Sequence, residues 1–320
     1  MRAAVHTSYG PPEVVSIGEM PKPVPKKNDV LIKVHATTVN RTDCGFRLGK
    51  PYAVRLFAGL AKPKWPVWGN EFAGVVEEIG SDVKAFNIGD QVFGIDQKHF
   101  GAHAEYKCIH EDGPITSKPS NLSFEESVAI LEGPWLALNY LKRIGIGKQH
   151  SILVNGASGS IGSSGIQLAK HFGAQITAVT DTKSLNLARS LGAYSVIDYT
   201  KEDFTAIGKT FDFVFDAVGK SSFTNSKKIL NPNGIYFSTE LGPGWENVYM
   251  AIWTSMFGKQ KVIFPIPKES KEEVIFFKTL AEAGELKPVI DRAYPLEMIV
   301  EAYQYVETGR KIGNVVINMI

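Results

Sequence analysis

The chain has 320 residues, of which 35 are Lys or Arg and 33 are Asp or Glu, for a formal net charge of +2. This balance, with the cations dispersed along the chain, does not favour a nucleic-acid or membrane partner. The length suits two domains, and the absence of a signal-like N-terminus or a bilayer-length apolar run predicts a cytoplasmic protein.

The first 122 residues have the pattern of an all-β unit. Short apolar runs at 1–5, 30–36, 72–80 and 90–94 are separated by a proline-rich connector and by Gly-Asp and Gly-Ser turns. Proline-rich connectors and glycine turns between short apolar runs are typical of strands joined by loops. We therefore predict a mainly β, partly open barrel.

Residues 48–68 have two interpretations. They contain arginine, lysine, proline and four large aromatic side chains, including Tyr52 and Phe57. One interpretation is a loop with a short helix that covers the barrel. The other is a lid whose aromatic side chains stack on a planar substrate.

A Ser-x-x-Glu capping box begins at Ser123 and predicts a helix over 123–131, where the chain crosses into a second domain. Another helix is expected over 135–144. Residues 152–154 then form an apolar run of strand length, followed by glycines and a helical pattern that ends at Gly173.

This strand, glycine turn and helix predict a site for a pyrophosphate. Glycine allows the backbone to turn sharply and approach the phosphates, and the helix presents free N–H groups to them. The residues assigned to cofactor binding in this turn are Gly156, Ser158, Gly159, Ser160, Ile161 and Gly162.

Further apolar strands are expected at 175–179, 195–197, 211–216, 234–238 and 261–264, most of them separated by helical or turn segments. Alternation of this kind predicts a doubly wound parallel sheet, so we assign 123–267 to a Rossmann domain. The run 261–264 would be its edge strand, which favours pairing with a second copy in a homodimer.

Residues 268–320 do not continue the Rossmann repeat. They predict helices over 271–283 and 296–307, an extended segment at 286–290 and a last strand at 314–317. We expect this part of the chain to complete the first domain, which then comprises 1–122 and 268–320.

Several motifs resemble the medium-chain dehydrogenase/reductase superfamily, in its zinc-free branch of quinone oxidoreductases and zeta-crystallin-like enzymes. The resemblance extends over essentially the whole chain and implies a GroES-like catalytic domain followed by a nucleotide domain. The matching motifs are YGPPEV (9–14), VHATTVN (34–40), GNEFAGVV (69–76), GDQVFG (89–94), NGASGSIG (155–162) and FDAVG (215–219).

The departures from zinc-dependent relatives concern the metal ligands. Asn40 stands where those enzymes have a cysteine, and Asn70 where they have a histidine. The two cysteines, Cys44 and Cys108, are too few for a four-cysteine zinc site. His99 and His103 are four apart, but their neighbours predict a loop, so we expect no metal.

Without a Lewis acid, the expected substrates are small, electron-poor molecules, namely quinones or carbon-carbon double bonds conjugated to a carbonyl. Hydride transfer builds negative charge on the acceptor oxygen, which hydrogen-bond donors must stabilise. The resemblance implies that Asn40 faces the nicotinamide and the substrate, and an ordinary polar turn residue is the alternative. Further candidate catalytic residues are Tyr52, Thr42 and Asn70.

The resemblance also places Tyr199 along the adenosine, and Val218 and Asn314 near the nicotinamide. Thr180 and Lys183, after the second Rossmann strand, favour NADP(H), because related reductases bind the extra phosphate with such a lysine. Asp181 argues for NAD(H), since a carboxylate near this position binds a ribose diol and repels that phosphate. NADP(H) is preferred and NAD(H) stays open.

Two other functions fit the sequence. One is a dinucleotide-binding protein without turnover, such as a redox sensor, and the other is an alcohol dehydrogenase-like activity. A short-chain dehydrogenase is excluded, because no tyrosine has a lysine four residues later.

Overall fold

The structure is a computed structural model that describes residues 1–264 and 267–319. It divides into two compact units. Unit 1 comprises Met1–Leu131, Glu269–Gly284 and the described residues from Pro288 onward. Unit 2 comprises the described residues of Glu132–Lys268, together with Glu285–Lys287. The chain thus begins in unit 1, builds unit 2 and returns.

The strands of the described residues belong to two large sheets and one two-stranded sheet. In chain order they are β1 (Arg2–Val5), β2 (Ser16–Glu19), β3 (Asp29–Val39), β4 (Glu71–Ile79), β5 (Gln91–Ile95), β6 (Tyr106–His110), β7 (Ile115–Ser117), β8 (Ser151–Asn155), β9 (Gln175–Thr180), β10 (Ser195–Asp198), β11 (Phe211–Asp216), β12 (Leu230–Ser238), β13 (Lys261–Ile263), β14 (Ile290–Pro295) and β15 (Asn314–Asn318).

The α-helices of the described residues are mostly short, and none of them is long and apolar enough to cross a bilayer. In chain order they are α1 (Arg41–Leu48), α2 (Arg55–Ala58), α3 (Phe124–Val128), α4 (Glu132–Ile144), α5 (Ser160–His171), α6 (Leu185–Leu191), α7 (Phe223–Ser226), α8 (Glu246–Met256), α9 (Lys271–Glu282) and α10 (Ile299–Glu307).

Unit 2 contains the predicted doubly wound sheet. Its six strands are parallel and lie in the order β10-β9-β8-β11-β12-β13. The strands read as continuous apolar runs because both faces of such a sheet are covered, and Ile152, Leu153 and Val154 of β8 are fully buried. The strand order reverses between β8 and β11, which is where ligands bind in folds of this type.

Unit 1 contains the predicted mainly β structure. Its larger sheet follows the order β14-β15-β3-β4-β5-β7, with β6 also paired to β3, and this path does not close within the described residues. Neighbours are antiparallel except β14 and β15. The partly open barrel is therefore confirmed.

Several elements differ from the sequence-based expectation. The strands β2, β6 and β7 were not predicted, and the extended segment expected at 286–290 is irregular until β14 begins at Ile290. The Lys287 N–H instead donates to Gln167 Oε1 at 2.7 Å, so this segment contacts α5 rather than forming a ladder.

The first segment of unit 1 continues to Leu131. Ser123 forms the expected capping box with Glu126 at the start of α3. Phe124 then stacks on His35 of β3 with ring centroids 4.4 Å apart. This packing explains why α3 belongs to the β unit, whereas the helical pattern alone placed it in the second domain.

Candidate active site

The glycine turn of unit 2 follows β8 and leads into α5. Gly156 has φ = +80°, in the region that favours glycine. The N–H groups of Gly156 and Ala157 both donate to the Val179 carbonyl of β9, at 3.1 and 3.0 Å. These two bonds fix the turn against the neighbouring strand.

The other two glycines of the turn serve different purposes. A Cβ at Gly162 would overlap the Gly156 carbonyl oxygen, so Gly162 is required by the packing of the turn itself. A Cβ at Gly159 would meet only that same oxygen, at an ordinary 3.6 Å. The protein's own atoms therefore do not require glycine at 159, and a closely approaching ligand would.

Three buried hydroxyl groups of unit 2 have no hydrogen-bond partner among the described residues. In the described part of the chain, Ser160 Oγ, Thr180 Oγ1 and Ser184 Oγ make no hydrogen bond, although each residue is buried. Buried hydroxyls are normally paired, so these three fit a ligand that supplies the missing partners. Ser160 and Thr180 were among the residues predicted to bind cofactor, and Ser184 was not.

The loop after β11 is held by Asp216, a fully buried residue. Its carboxylate accepts hydrogen bonds from Asn155 Nδ2 at 3.0 Å and from the Ser221 N–H at 2.9 Å. The same loop places the Val218 side chain against Gly156. Val218 thus lies at the glycine turn, at the point where the strand order reverses, and the positioning role of Asp216 was not predicted.

The residues that follow β9 differ in whether their side chains already have a hydrogen-bond partner in the protein. Asp181 caps the turn Thr182–Ser184 by accepting the Ser184 N–H at 3.1 Å. Lys183 is exposed, and its ammonium group has no partner among the described residues. Tyr199 is also exposed, and its N–H donates to the Thr180 carbonyl at 3.1 Å, which brings it beside the end of β9.

Unit 1 brings Asn40 and Asn70 together. Asn40 Nδ2 donates to Asn70 Oδ1 at 3.0 Å and to Glu71 Oε2 at 3.3 Å. Asn40 Oδ1 accepts the Asp43 N–H at 2.9 Å as the N-cap of α1. An amide nitrogen has two hydrogens to donate, and both already have protein acceptors.

The same network contains residues that sequence reasoning missed. The Asp43 carboxylate accepts the Asn40 N–H at 3.1 Å and the Gly69 N–H at 3.2 Å, so one side chain bridges the two segments that carry the asparagines. Thr38 Oγ1 donates to Glu71 Oε2. The Asn-x-x-Asp spacing of the capping box was readable in the sequence, whereas the bridge to Gly69 was not.

The remaining candidates of unit 1 are placed differently. Thr42 lies in the first turn of α1, is partly exposed, and its hydroxyl has no partner in the part of the chain described. Tyr52 is 69% exposed and contacts the Arg55 guanidinium through its ring. Asn314 Nδ2 donates to the carbonyls of Ala129 and Val289, at 2.9 and 3.0 Å.

These donors do not suit a zinc ion. Where zinc-dependent relatives have ligands, the side chains of Asn40 and Asn70 are amides that bind each other. Burial raises the pKa of the nearby Cys44 thiol to about 12, which disfavours a thiolate ligand. His103 is buried and binds the Thr38 carbonyl, while His99 is exposed, so the two do not converge. Among the described residues, no group of three or more His, Cys, Asp or Glu side chains could hold a metal.

The fold and the glycine turn define a dinucleotide-binding protein, and comparison with known proteins refines this class. A model of the alcohol dehydrogenase GroES-like domain matches residues 26–120, and one described as zinc-binding dehydrogenase matches 191–317. The chain is 36% identical to 2-methylene-furan-3-one reductase of Solanum lycopersicum, over 100% of this chain and 79% of the relative.

Two further similar proteins are also oxidoreductases. The chloroplastic NADPH-dependent alkenal/one oxidoreductase of Arabidopsis thaliana is 32% identical, over 99% of this chain and 79% of its own. The solved quinone oxidoreductase from Coxiella burnetii has a TM-score of 0.88 at 29% identity and covers 100% of this chain and 99% of its own. The chain therefore belongs to the quinone oxidoreductase branch of the medium-chain dehydrogenase/reductase superfamily.

Proposed function

We propose that the protein is an NAD(P)H-dependent reductase of quinones or α,β-unsaturated carbonyls that works without zinc. The observation that carries this proposal is the pair of amides, Asn40 and Asn70, bound to each other at 3.0 Å where zinc-dependent relatives have ligands. The names of the relatives, which include an alkenal/one oxidoreductase and a quinone oxidoreductase, support the same substrate class. When bound, the nicotinamide cofactor supplies the hydride.

The residues of unit 1 would stabilise the charge that develops on the acceptor oxygen. Asn40 was the first candidate donor, but both of its amide hydrogens are engaged. We assign the donor role to the Thr42 hydroxyl, which has no partner in the described chain and is partly exposed. Asn40 then holds the first turn of α1 in place through its cap to Asp43.

We expect Thr42→Val to lower kcat/KM for a quinone or enone by about 100-fold, because one preorganised donor to an oxyanion contributes roughly this much. Thr42→Ser keeps the hydroxyl and should retain most of the activity. The measurement is the oxidation of NADPH in the presence of a naphthoquinone and an alkenal, followed by absorbance.

Three outcomes of this assay would contradict the proposal. If NADPH binds but no quinone or enone is reduced, the non-catalytic, redox-sensing alternative is favoured. If simple alcohols turn over and a chelator abolishes the activity, the alcohol dehydrogenase-like alternative holds. If Thr42→Val reduces the acceptors as well as Thr42→Ser does, the oxyanion donor is another group.

We further propose that NADP(H) is preferred over NAD(H). Lys183 is a free cation beside the end of β9, whereas Asp181 already accepts the Ser184 N–H. Lys183→Ala should therefore raise the Kd for NADPH by about tenfold, as expected for one exposed charge-assisted contact, and leave the Kd for NADH nearly unchanged. Fluorescence titration with both cofactors checks this, and equal effects on the two would contradict it.

The homodimer also stays a proposal. The strand β13 pairs with β12, and in the described residues its other edge has no ladder partner. An open edge of a parallel sheet favours pairing with a second copy. We expect light scattering to give twice the mass of one chain, and a monomer at micromolar concentration would contradict this. Cytoplasmic localisation likewise stays a prediction, which cell fractionation tests.

A further inference from the structure

We propose that a loop of unit 1 docks the protein on an anionic lipid surface. The loop carries Leu56, Phe57 and Leu60, which are 72%, 75% and 71% exposed. We call these three side chains the apolar tip. Large apolar side chains exposed next to one another on a soluble protein mark an interaction site, and this one goes beyond the proposed reductase activity.

The backbone below the apolar tip is firmly held. The Tyr9 hydroxyl donates to the Gly59 carbonyl at 2.6 Å, and Arg55 Nε donates to the Gly49 carbonyl at 3.1 Å. The buried residues Ala58, Trp68 and Phe100 form an apolar cluster at the base of the loop. Because the loop is fixed in this way, presenting the tip to a surface orders little additional chain.

The charge around the tip matches an anionic surface. Between Asp43 and Glu71 the sequence contains no acidic residue. The same stretch contains three exposed lysines, Lys50, Lys62 and Lys64. Asp43 and Glu71 themselves are buried, with 0% and 1% exposure. Apolar side chains surrounded by cations bind anionic bilayers by shallow insertion combined with electrostatic attraction.

The whole-chain charge concealed this surface. The net charge of +2 averages the acid-free stretch with the acidic residues elsewhere, which is why the sequence alone favoured no membrane partner. Peripheral docking also needs no membrane-spanning helix. The distribution of charge along the chain, rather than its sum, is what distinguishes this loop.

A second exposed apolar surface serves as the control. Tyr249, Ile252, Trp253 and Met256 of α8 are between 54% and 64% exposed. Of the lysines near it in the sequence, Lys261 donates to the Thr254 carbonyl of α8, and Lys259 is exposed. This surface therefore matches the tip in apolar character but has one exposed lysine beside it instead of three.

The experiment is flotation of the full chain with vesicles of phosphatidylcholine alone or of phosphatidylcholine with phosphatidylserine, at low and high salt. We expect binding only to the phosphatidylserine vesicles, weakened by salt. Lys62→Ala with Lys64→Ala should lower the partition coefficient about 25-fold, a factor of about five for each cation. Leu56→Ser with Phe57→Ser should abolish binding, and Ile252→Ser with Trp253→Ser in α8 should not.

Four results would overturn the proposal. The first is no binding to phosphatidylserine vesicles, and the second is equal binding to both kinds of vesicle. The third is loss of binding in the α8 variant alone. The fourth is that the chain does not bind vesicles and only its self-association is lost in the Leu56→Ser, Phe57→Ser variant, in which case the tip binds a second copy of the chain. Thermal melting shows whether each variant folds. NADPH oxidation with a soluble quinone is measured separately, so failure of the reductase proposal does not affect the docking result.

Discussion

Gly162→Ala is expected to raise the Kd for NADPH by at least about 100-fold, through loss of two or more hydrogen bonds to a charged phosphate. The added methyl group would overlap the Gly156 carbonyl oxygen and lie 3.0 Å from Ala157 Cα. The turn must open to relieve this contact, so its backbone N–H groups would no longer converge on the phosphate. Overpacking of this kind should also lower the free energy of unfolding by about 1–3 kcal/mol. Isothermal titration and thermal melting measure the two effects.

Gly159→Ala is the matched control. Gly159 is the N-cap of α5 with φ = −73°, which alanine adopts without strain. Its methyl group would have ordinary contacts, so the free energy of unfolding without cofactor should fall by less than about 1 kcal/mol, the part that remains because glycine is a better N-cap than alanine. NADPH should nevertheless bind more weakly, because the methyl would face the approaching phosphate. Normal NADPH binding by Gly162→Ala, or equal destabilisation by both changes, would contradict this assignment.

The glycine spacing predicted the turn but not the separate purposes of its glycines. Gly156 turns beside the Val179 carbonyl of β9, and Gly162 packs against Gly156 itself. Each of these contacts depends on where the neighbouring backbone lies in three dimensions. A motif gives the spacing of residues along the chain, and only the structure distinguishes packing from ligand approach.

The fold was more predictable in unit 2 than in unit 1. Strands such as β8 and β11 are buried on both faces and therefore appear as continuous apolar runs. In contrast, β2 has three exposed residues out of four and is held by its ladder with β1. The strand β14, which has no buried residue, similarly depends on β15. A strand that is held mainly by hydrogen bonds to its partner need not show an apolar pattern in its own sequence.

The structure brings two of the candidate catalytic residues together, but the sequence did not predict their hydrogen bonds. The resemblance drew attention to Asn40 and Asn70, and the structure places their side chains in contact. It also shows that the Asn40 amide donates inward, to residues 30 and 31 positions away in the chain. Hydrogen-bond direction across such a separation is set by the register of β3 and β4, which a single sequence does not reveal.

The largest effect on stability is expected from Asp216→Ala, which should lower the free energy of unfolding by about 3–5 kcal/mol, because each buried donor left without an acceptor costs about 1–3 kcal/mol. The carboxylate is fully buried and accepts Asn155 Nδ2, the Ser221 N–H and the Tyr236 hydroxyl, at 3.0, 2.9 and 3.2 Å. Alanine would leave all three donors buried without an acceptor. Urea unfolding of the cofactor-free protein measures the change.

Two smaller changes separate the parts of this network. Tyr236→Phe removes one donor and should cost about 1 kcal/mol. Burial and the Asp216 carboxylate raise the pKa of Tyr236, so the phenol stays protonated and donates throughout the physiological range. Asp216→Asn retains one acceptor oxygen but replaces the other with an N–H₂ group, which cannot accept from the buried donors. Its effect should therefore lie between those of Tyr236→Phe and Asp216→Ala.

Cofactor affinity should follow the same order, because Asp216 holds the loop that places Val218 on Gly156. Below the melting temperature of each variant, we expect the Kd for NADPH to rise most for Asp216→Ala and least for Tyr236→Phe. If Asp216→Ala lost stability but bound NADPH with unchanged affinity, the carboxylate would support the sheet alone. Because Asn155 and Asp216 end the two strands between which the sheet reverses, we expect both properties to change together.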